Sequence, residues 1–365
     1  MFGFSFIIFV SYTISILQFL VKATFRPPIF FSLNPTNLNI DIVYTWVNGS
    51  DPFWSHRRLI AENITSVKLD KKTVRARFFD FNELIFSIRS VEKYIPWFHK
   101  IYIITDNQTN HFLKPTPRIV YVDHKQIFPA DALPSYNSNA IEFSIANIPG
   151  LSEHFLYLND DFFFSRQLSK CVFFDLLGRP KIYPDAMKWG NIYKTFAKYK
   201  KSPYRNKNSA LQYKLVNYYT ALTFYRAAHK KPPYKSKHSV LACSKTLIKE
   251  CHTMFSEEID KTIHSKFRSY NNLLFPLTMI FVASIRPELG VIISNKKDYS
   301  KLFNLKPERM ILNKYLMPYI NQEKYMTVCI NTCQRTTVEY QKVAKKWLKK
   351  WLKKPSSFEI PNSKI

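Results

Sequence analysis

The stretch FLYLNDD, residues 155–161, decides how this chain is read. Its first four, mostly apolar residues have the character of a buried strand, and the strand ends abruptly in Asn159-Asp160-Asp161. Two adjacent carboxylates repel each other, so a fold gains nothing by placing them at a strand end. A hard divalent cation reverses that balance, because it prefers oxygen ligands and cancels their charge. In open α/β sheets, ligands gather outside the carboxyl ends of the strands. The run therefore points to an Mg²⁺ or Mn²⁺ site that handles phosphate, with Asp160 and Asp161 as ligands. A turn carrying two solvated Asp residues is the competing reading, and these residues alone leave it open.

Upstream, the pattern repeats. Residues 40–47 are β-branched and aromatic and stop at Asn48-Gly49-Ser50-Asp51-Pro52. Residues 101–105 end at Asp106-Asn107-Gln108, and residues 119–122 end at Asp123-His124. Between them, residues 79–94 place Phe81, Leu84, Ile85, Ile88 and Val91 at helical spacing, and residues 138–148 do the same with Ile141, Ile145 and Ile148. Strands alternating with helices predict an α/β fold with a mainly parallel sheet flanked by helices. Residues 243–270 read as helix, with Leu247, Cys251, Met254 and Ile259 toward the core. If the strands are parallel neighbours, their polar ends converge on one edge.

Composition narrows the chemistry. The 365 residues carry 54 Lys and Arg against 26 Asp and Glu, a net charge of +28. Such charge attracts anions without naming them; a solvated Lys-rich surface gives the same count. Only six glycines occur, with no GxGxxG or GxxxxGK[ST], which argues against a dinucleotide fold or P-loop. The five cysteines make no CxxC pair. Cys243 with Cys251 and Cys329 with Cys333 are open to disulfides or to free buried thiols.

Both ends suggest membranes. Residues 4–21 form an uncharged apolar run just long enough to span a bilayer, a cleaved signal being the rival. A single-pass membrane protein is the expectation, on the Golgi lumen side in a eukaryote or the cytoplasmic face of the plasma membrane in a bacterium. Residues 23–39 read as a stem, and 185–240 as a basic insert or lid with an exposed connection as its alternative. Near the C-terminus, Val343, Trp347, Leu348, Trp351 and Leu352 share one helical face. Lys342, Lys345, Lys346, Lys349, Lys350, Lys353 and Lys354 fall largely on the other. That pattern fits either an interfacial membrane helix or a helix packing its Trp residues on the domain. No nucleic-acid motif accompanies it.

The motifs together resemble the Stealth family. IDIVYTWVNGSD (40–51) is similar to its first signature region. The stretch from FFDFNELIFSIRS (78–90) to HFLYLNDDFFF (154–164) is similar to its second. His238 with IHSKFRS (263–269) resembles the third region, and MTVCINTCQ (326–334) the fourth. The resemblance covers residues 40–335. It implies a nucleotide-sugar transferase-like fold and transfer of a sugar-1-phosphate, N-acetylglucosamine-1-phosphate as the first expectation, from a UDP-sugar to a glycan or glycoprotein hydroxyl. UMP would leave. A glycosyltransferase releasing UDP and an inactive binding relative are the rivals.

By the same resemblance, Asp161 is catalytic, His238 is a general base, and Arg268 meets phosphate oxygens. Trp46, Asn48, Gly49 and Asp51 would wall the nucleotide. Asp106, Asn107, Gln108, His124, Asn139, Glu142 and Asn159 would contact sugar or metal. Asn331 would join Asp160 and Asp161 on the Mg²⁺ or Mn²⁺ ion. The family's fourth region carries Asn-Asp, where this chain has Asn331-Thr332, so one expected carboxylate is missing. A homodimer is left open.

Overall fold

The computed structural model describes residues 37–62, 80–187, 192–203, 209–305, 324–332 and 336–363. Four strands, β1 (Ile40–Thr45), β2 (Ile101–Thr105), β3 (Ile119–Asp123) and β4 (His154–Asn159), run parallel. A further strand of residues Leu241–Ser244 pairs antiparallel with β4 and completes a five-stranded sheet. The order is β3-β2-β1-β4 and then this edge strand. The chain thus winds outward from β1 to β3, then returns to lay β4 on the other side of β1. That reversal between β1 and β4 is the topological switch point, where the loops diverge and leave a crevice.

Alternation in the strands explains the layers. Ile40, Ile42 and Tyr44 of β1, with Leu156 and Leu158 of β4, enter one core. Val43, Phe155 and Tyr157 enter the opposite one. A strand projects successive side chains to opposite faces, and apolar residues at both parities require cover on both faces. Helix α1 (Pro52–Ala61) follows β1, and helix α2 (Glu83–Tyr94) covers the first face. Helix α3 (Ser138–Phe143), the pair α4 (Lys245–Met254) and α5 (Ser256–Ile263), and α6 (Phe275–Ile285) cover the second. The α/β class expected from the sequence is the class observed.

Two sequence expectations need correction, and the open choice for Cys243 and Cys251 resolves to free thiols. Residues 243–270 are not one helix: Cys243 and Ser244 close the edge strand, and the helices break at Phe255. The helix expected over 138–148 stops at Phe143 and continues as a 3-10 turn, because Ser144 turns its hydroxyl back onto the Ala140 carbonyl. Cys243 and Cys251 form no disulfide; both are free, buried thiols. Cys333 lies outside the described residues.

A second sheet grows directly from the Asp pair. β5 (Phe162–Phe164) pairs antiparallel with residues Thr327–Asn331, which in turn pair parallel with Ser300–Asn304. Asp160 and Asp161 therefore form the hinge between two sheets, held on both sides.

The C-terminal helix α7 (Val338–Trp351) settles the second membrane alternative. Ala344, Leu348 and Trp351 are buried in the first core, and the Trp351 indole N–H donates to the Tyr94 hydroxyl at 3.2 Å. Its apolar face packs on the domain and its Lys face points outward, so the interfacial-membrane reading gives way to packing. Leu348 has no exposed surface. Replacing Leu348 with Ala should cost about 2–5 kcal/mol, read as a lower urea midpoint at unchanged slope.

The single-pass membrane localisation is also corrected. Among the described residues no helix is long and apolar enough to cross a membrane. The run at residues 4–21 that prompted it lies outside them.

Candidate active site

At the carboxyl edge of the sheet, three of the four polar strand ends are used locally. Asp51 caps α1, accepting from Phe53 N at 2.9 Å and from the Gln108 amide at 2.8 Å. Asp123 caps a 3-10 turn by accepting from Lys125 N at 2.9 Å. Asp106 pairs with Arg57 at 2.9 Å. Gln108 is buried and clamps the Asn48 backbone, with its Oε1 accepting from Asn48 N at 3.0 Å and its amide donating to Asn48 O at 3.0 Å. Gly49 offers its carbonyl to the Ser55 hydroxyl at 2.9 Å. Asn107 adopts a left-handed turn conformation, φ 54°. These residues shape the β1 and β2 loops by satisfying one another.

Asp160 and Asp161 are different. Burial pushes the Asp160 carboxyl well above its ordinary range, and the neighbouring charges of Asp161 and Asp80 push it further. Burial also raises Asp161, against the pull of His238 and a hydrogen bond from Cys329. That thiol donates to Asp161 Oδ2 at 3.3 Å. Asp161 Oδ1 is buried and, among the described residues, has no hydrogen-bond partner. At the amino-terminal edge, by contrast, buried Asp41 accepts from His99 at 2.9 Å, Lys100 N at 3.1 Å and Ser152 N at 2.7 Å. A fold able to satisfy Asp41 so fully leaves Asp161 half satisfied. An unpaired buried acceptor costs about 1–3 kcal/mol, which marks Asp161 as a candidate ligand-binding group.

Around this pair the expected catalytic groups assemble. His238 lies with its ring edge-on to Phe162, centroids 5.1 Å apart. Ligand atoms of Asp161, His238 and Cys329 all fall within 4.8 Å of one another. Burial holds His238 below its ordinary pKa, and so neutral, although Asp161 opposes this. Arg268 keeps solvent contact, yet protein crowds round its guanidinium and lowers its pKa against the attraction of Glu142 and Tyr157. The guanidinium donates to the Ser138 hydroxyl at the start of α3.

Glu142 is the acid that faces it. Its Oε1 lies 3.0 Å from the Tyr157 hydroxyl, its Oε2 is buried without a partner, and burial raises its pKa to about 7. Tyr157 also lies 2.9 Å from Asn159 Oδ1, and Thr45 donates to that same oxygen at 3.3 Å. Thr45 serves Asn159 Oδ1, which leaves the phenolic proton for Glu142 Oε1. Asn139, one turn before Glu142, is buried, as is His124, which packs on Phe128 with a lowered pKa caused by burial.

Some assignments shift. The buried Trp46 indole N–H donates to Asp80 at 2.9 Å, so its polar edge is spent on an acid. Asn331 donates its amide to Asn304 at 3.0 Å; the side chain of that strand placed on Asp161 is Cys329. Sequence reasoning missed Asp80, Glu83 and Cys329. Burial first, then Asp80 and Asp160, raise Glu83 well above its ordinary range. The only signal for Asp80 and Glu83 was their presence in FFDFNE, at the start of the helical pattern, where neither was singled out. Cys329 was weighed as a disulfide partner or a free buried thiol, never as a group at the site.

Residues 39–64 match the family model Stealth protein CR1, conserved region 1, and residues 77–182 match Stealth protein CR2, conserved region 2. An exopolysaccharide phosphotransferase of Lactiplantibacillus plantarum is 31% identical over 329 residues, covering 84% of this chain and 91% of that one. A capsular polysaccharide phosphotransferase of Haemophilus influenzae is 34% identical over 247 residues, 66% of this chain and 64% of its own length. A solved galactosyltransferase bound to donor and acceptor sugar analogues covers 88% of this chain and 98% of its own at 10% identity. Its TM-score of 0.43 is too low to bear on this fold or its chemistry. Both regional matches fall in order on the two strands that frame the crevice, and one relative matches along nearly its whole length, so this chain belongs to the Stealth protein family.

Proposed function

We propose that this protein transfers a sugar-1-phosphate, N-acetylglucosamine-1-phosphate in the first instance, from a UDP-sugar to a glycan hydroxyl and releases UMP. The observation that carries this reading is the buried, unpartnered Asp161 oxygen at the switch point, with Arg268, Glu142 and His238 grouped about the same crevice. The relatives, named as polysaccharide phosphotransferases, support the reaction class.

Phosphoryl transfer depends on positioned charge more than on covalent chemistry by the protein. The orphaned Asp161 oxygen and the adjacent Asp160 carboxylate suit Mg²⁺ or Mn²⁺, and that ion would neutralise diphosphate oxygens. Arg268 presents a planar fork to the phosphate next to the sugar. The acceptor hydroxyl attacks that phosphorus, and the bond to the bridging oxygen breaks, leaving the electron pair on UMP. Two groups can take the hydroxyl proton. His238 is kept neutral by burial, and Glu142 has a pKa of about 7 and a free oxygen. A base is most effective when its pKa lies near the working pH, which favours Glu142.

The test is mass spectrometry of products from UDP-N-acetylglucosamine and a glycan acceptor. The expected products are UMP and a glycan heavier by the sugar phosphate, with turnover lost in EDTA and restored by Mg²⁺ or Mn²⁺. Release of UDP would instead make the protein a glycosyltransferase. Donor binding with no product under any metal would make it a binding relative.

A further inference from the structure

On its other side Asp161 meets two groups that a hard cation does not select, Cys329 and His238. Mg²⁺ and Mn²⁺ prefer oxygen, whereas a thiol, an imidazole and a carboxylate together suit Zn²⁺. Here the three come from three separate places: the turn after β4, the loop before the edge strand, and the strand Thr327–Asn331. We propose that Asp161, His238 and Cys329 form a binding site for a borderline-soft divalent cation, Zn²⁺ above all, whose occupancy blocks the crevice.

One pair of donors already stands at the spacing of a bound ion, and the third lies within 4.8 Å of both. Tetrahedral zinc holds a thiolate sulfur and a carboxylate oxygen about 3.5 Å apart, given usual bond lengths. Cys329 Sγ and Asp161 Oδ2 are already 3.3 Å apart. A proton now bridges them. Zinc takes the place of that proton, and the thiol proton passes to solvent. The third donor, His238, has its ring braced by Phe162. The sheet hydrogen bond from Ile330 N to Asp161 O, 3.0 Å, fixes the Asp161 backbone against the strand that carries Cys329. Asp161 Oδ1, with no partner, is free for a second bond to the ion. Loss of catalysis on zinc binding rests on the transferase reading; zinc binding itself does not.

The test uses Co²⁺ as a spectroscopic stand-in for Zn²⁺ on the whole protein, with neither donor nor acceptor present. The expected result is one equivalent bound, with intense visible bands of a four-coordinate ion and a thiolate-to-metal charge-transfer band in the near ultraviolet. Zn²⁺ should displace it. Cys329→Ser should remove the charge-transfer band and weaken Zn²⁺ by more than about 10-fold, since even groups that only support metal ligands cost that much. His238→Gln should weaken Zn²⁺ similarly while keeping the charge-transfer band. Circular dichroism of both variants confirms folding. A charge-transfer band that survives Cys329→Ser, or a weak six-coordinate spectrum in the parent protein, would overturn the site. In the transferase assay, micromolar Zn²⁺ should inhibit at saturating Mg²⁺, and this outcome is separate from the binding result.

Discussion

Replacing Asp161 with Asn should lower turnover by about 10³-fold while making the folded protein more stable. Both effects follow from the same local conflict. Asp161 sits beside Asp160 in a half-buried turn; burial raises both carboxyls, and repulsion from Asp161 raises Asp160 further. Asn is nearly the same shape and carries no charge, so the repulsion disappears. A gain of about 1–2 kcal/mol in unfolding free energy is expected, the usual signature of a strained active-site group. Turnover falls because a placed charge that balances phosphate in a crevice contributes about 10²–10³-fold or more. Chemical denaturation and a single-turnover assay separate the effects. Lost activity with lost stability would mean that Asp161 is merely structural.

Glu142→Gln should cost about 10²–10⁴-fold in turnover and flatten the pH profile. With a pKa raised from 4.5 to about 7, Glu142 is protonated in acid and becomes a usable base only as pH rises through 7. Turnover in the parent protein should climb through that region, and the variant should lack the climb. Stability should run the other way. The folded state holds the proton more tightly than the unfolded one, so stability is highest below pH 4.5 and declines as pH rises toward 7. The decline amounts to about 3 kcal/mol at most for this fully buried group. The variant should therefore gain on the parent at pH 8 but not at pH 4. A pH profile unchanged by Glu142→Gln would leave His238 as the base.

Much of this arrangement was legible in the chain. The strands β1 to β4 were readable because both faces are apolar, giving unbroken runs with abrupt polar ends. That such ends gather at one edge followed from parallel order. What each end does was not legible. Asp51 and Asp123 became caps and Asp106 an ion-pair partner, since a turn Asp meets its own backbone first. Only Asp160 and Asp161 kept unmatched charge, because the reversal into β5 turns them inward. The edge strand was hidden because Leu241–Ser244 is short and runs straight into a helix. Cys329 was hidden for another reason: its neighbour Asp161 lies 168 residues away, and no periodicity reports that.

This last separation has a consequence for synthesis. Strands β1 to β4 can pair as soon as the first half of the chain has emerged. The crevice is complete only when Thr327–Asn331 lies against β5, and residues 358 and 359 pack back on the first half of the fold: Glu359 pairs with Arg89 of α2 at 2.6 Å, and Lys114 N, in the loop between β2 and β3, donates to Phe358 O at 2.9 Å. Such distant contacts form late, both along the ribosome and in refolding. A nascent chain can therefore pair its parallel strands early, while Asp161 meets Cys329 only after residues 327–331 have been made.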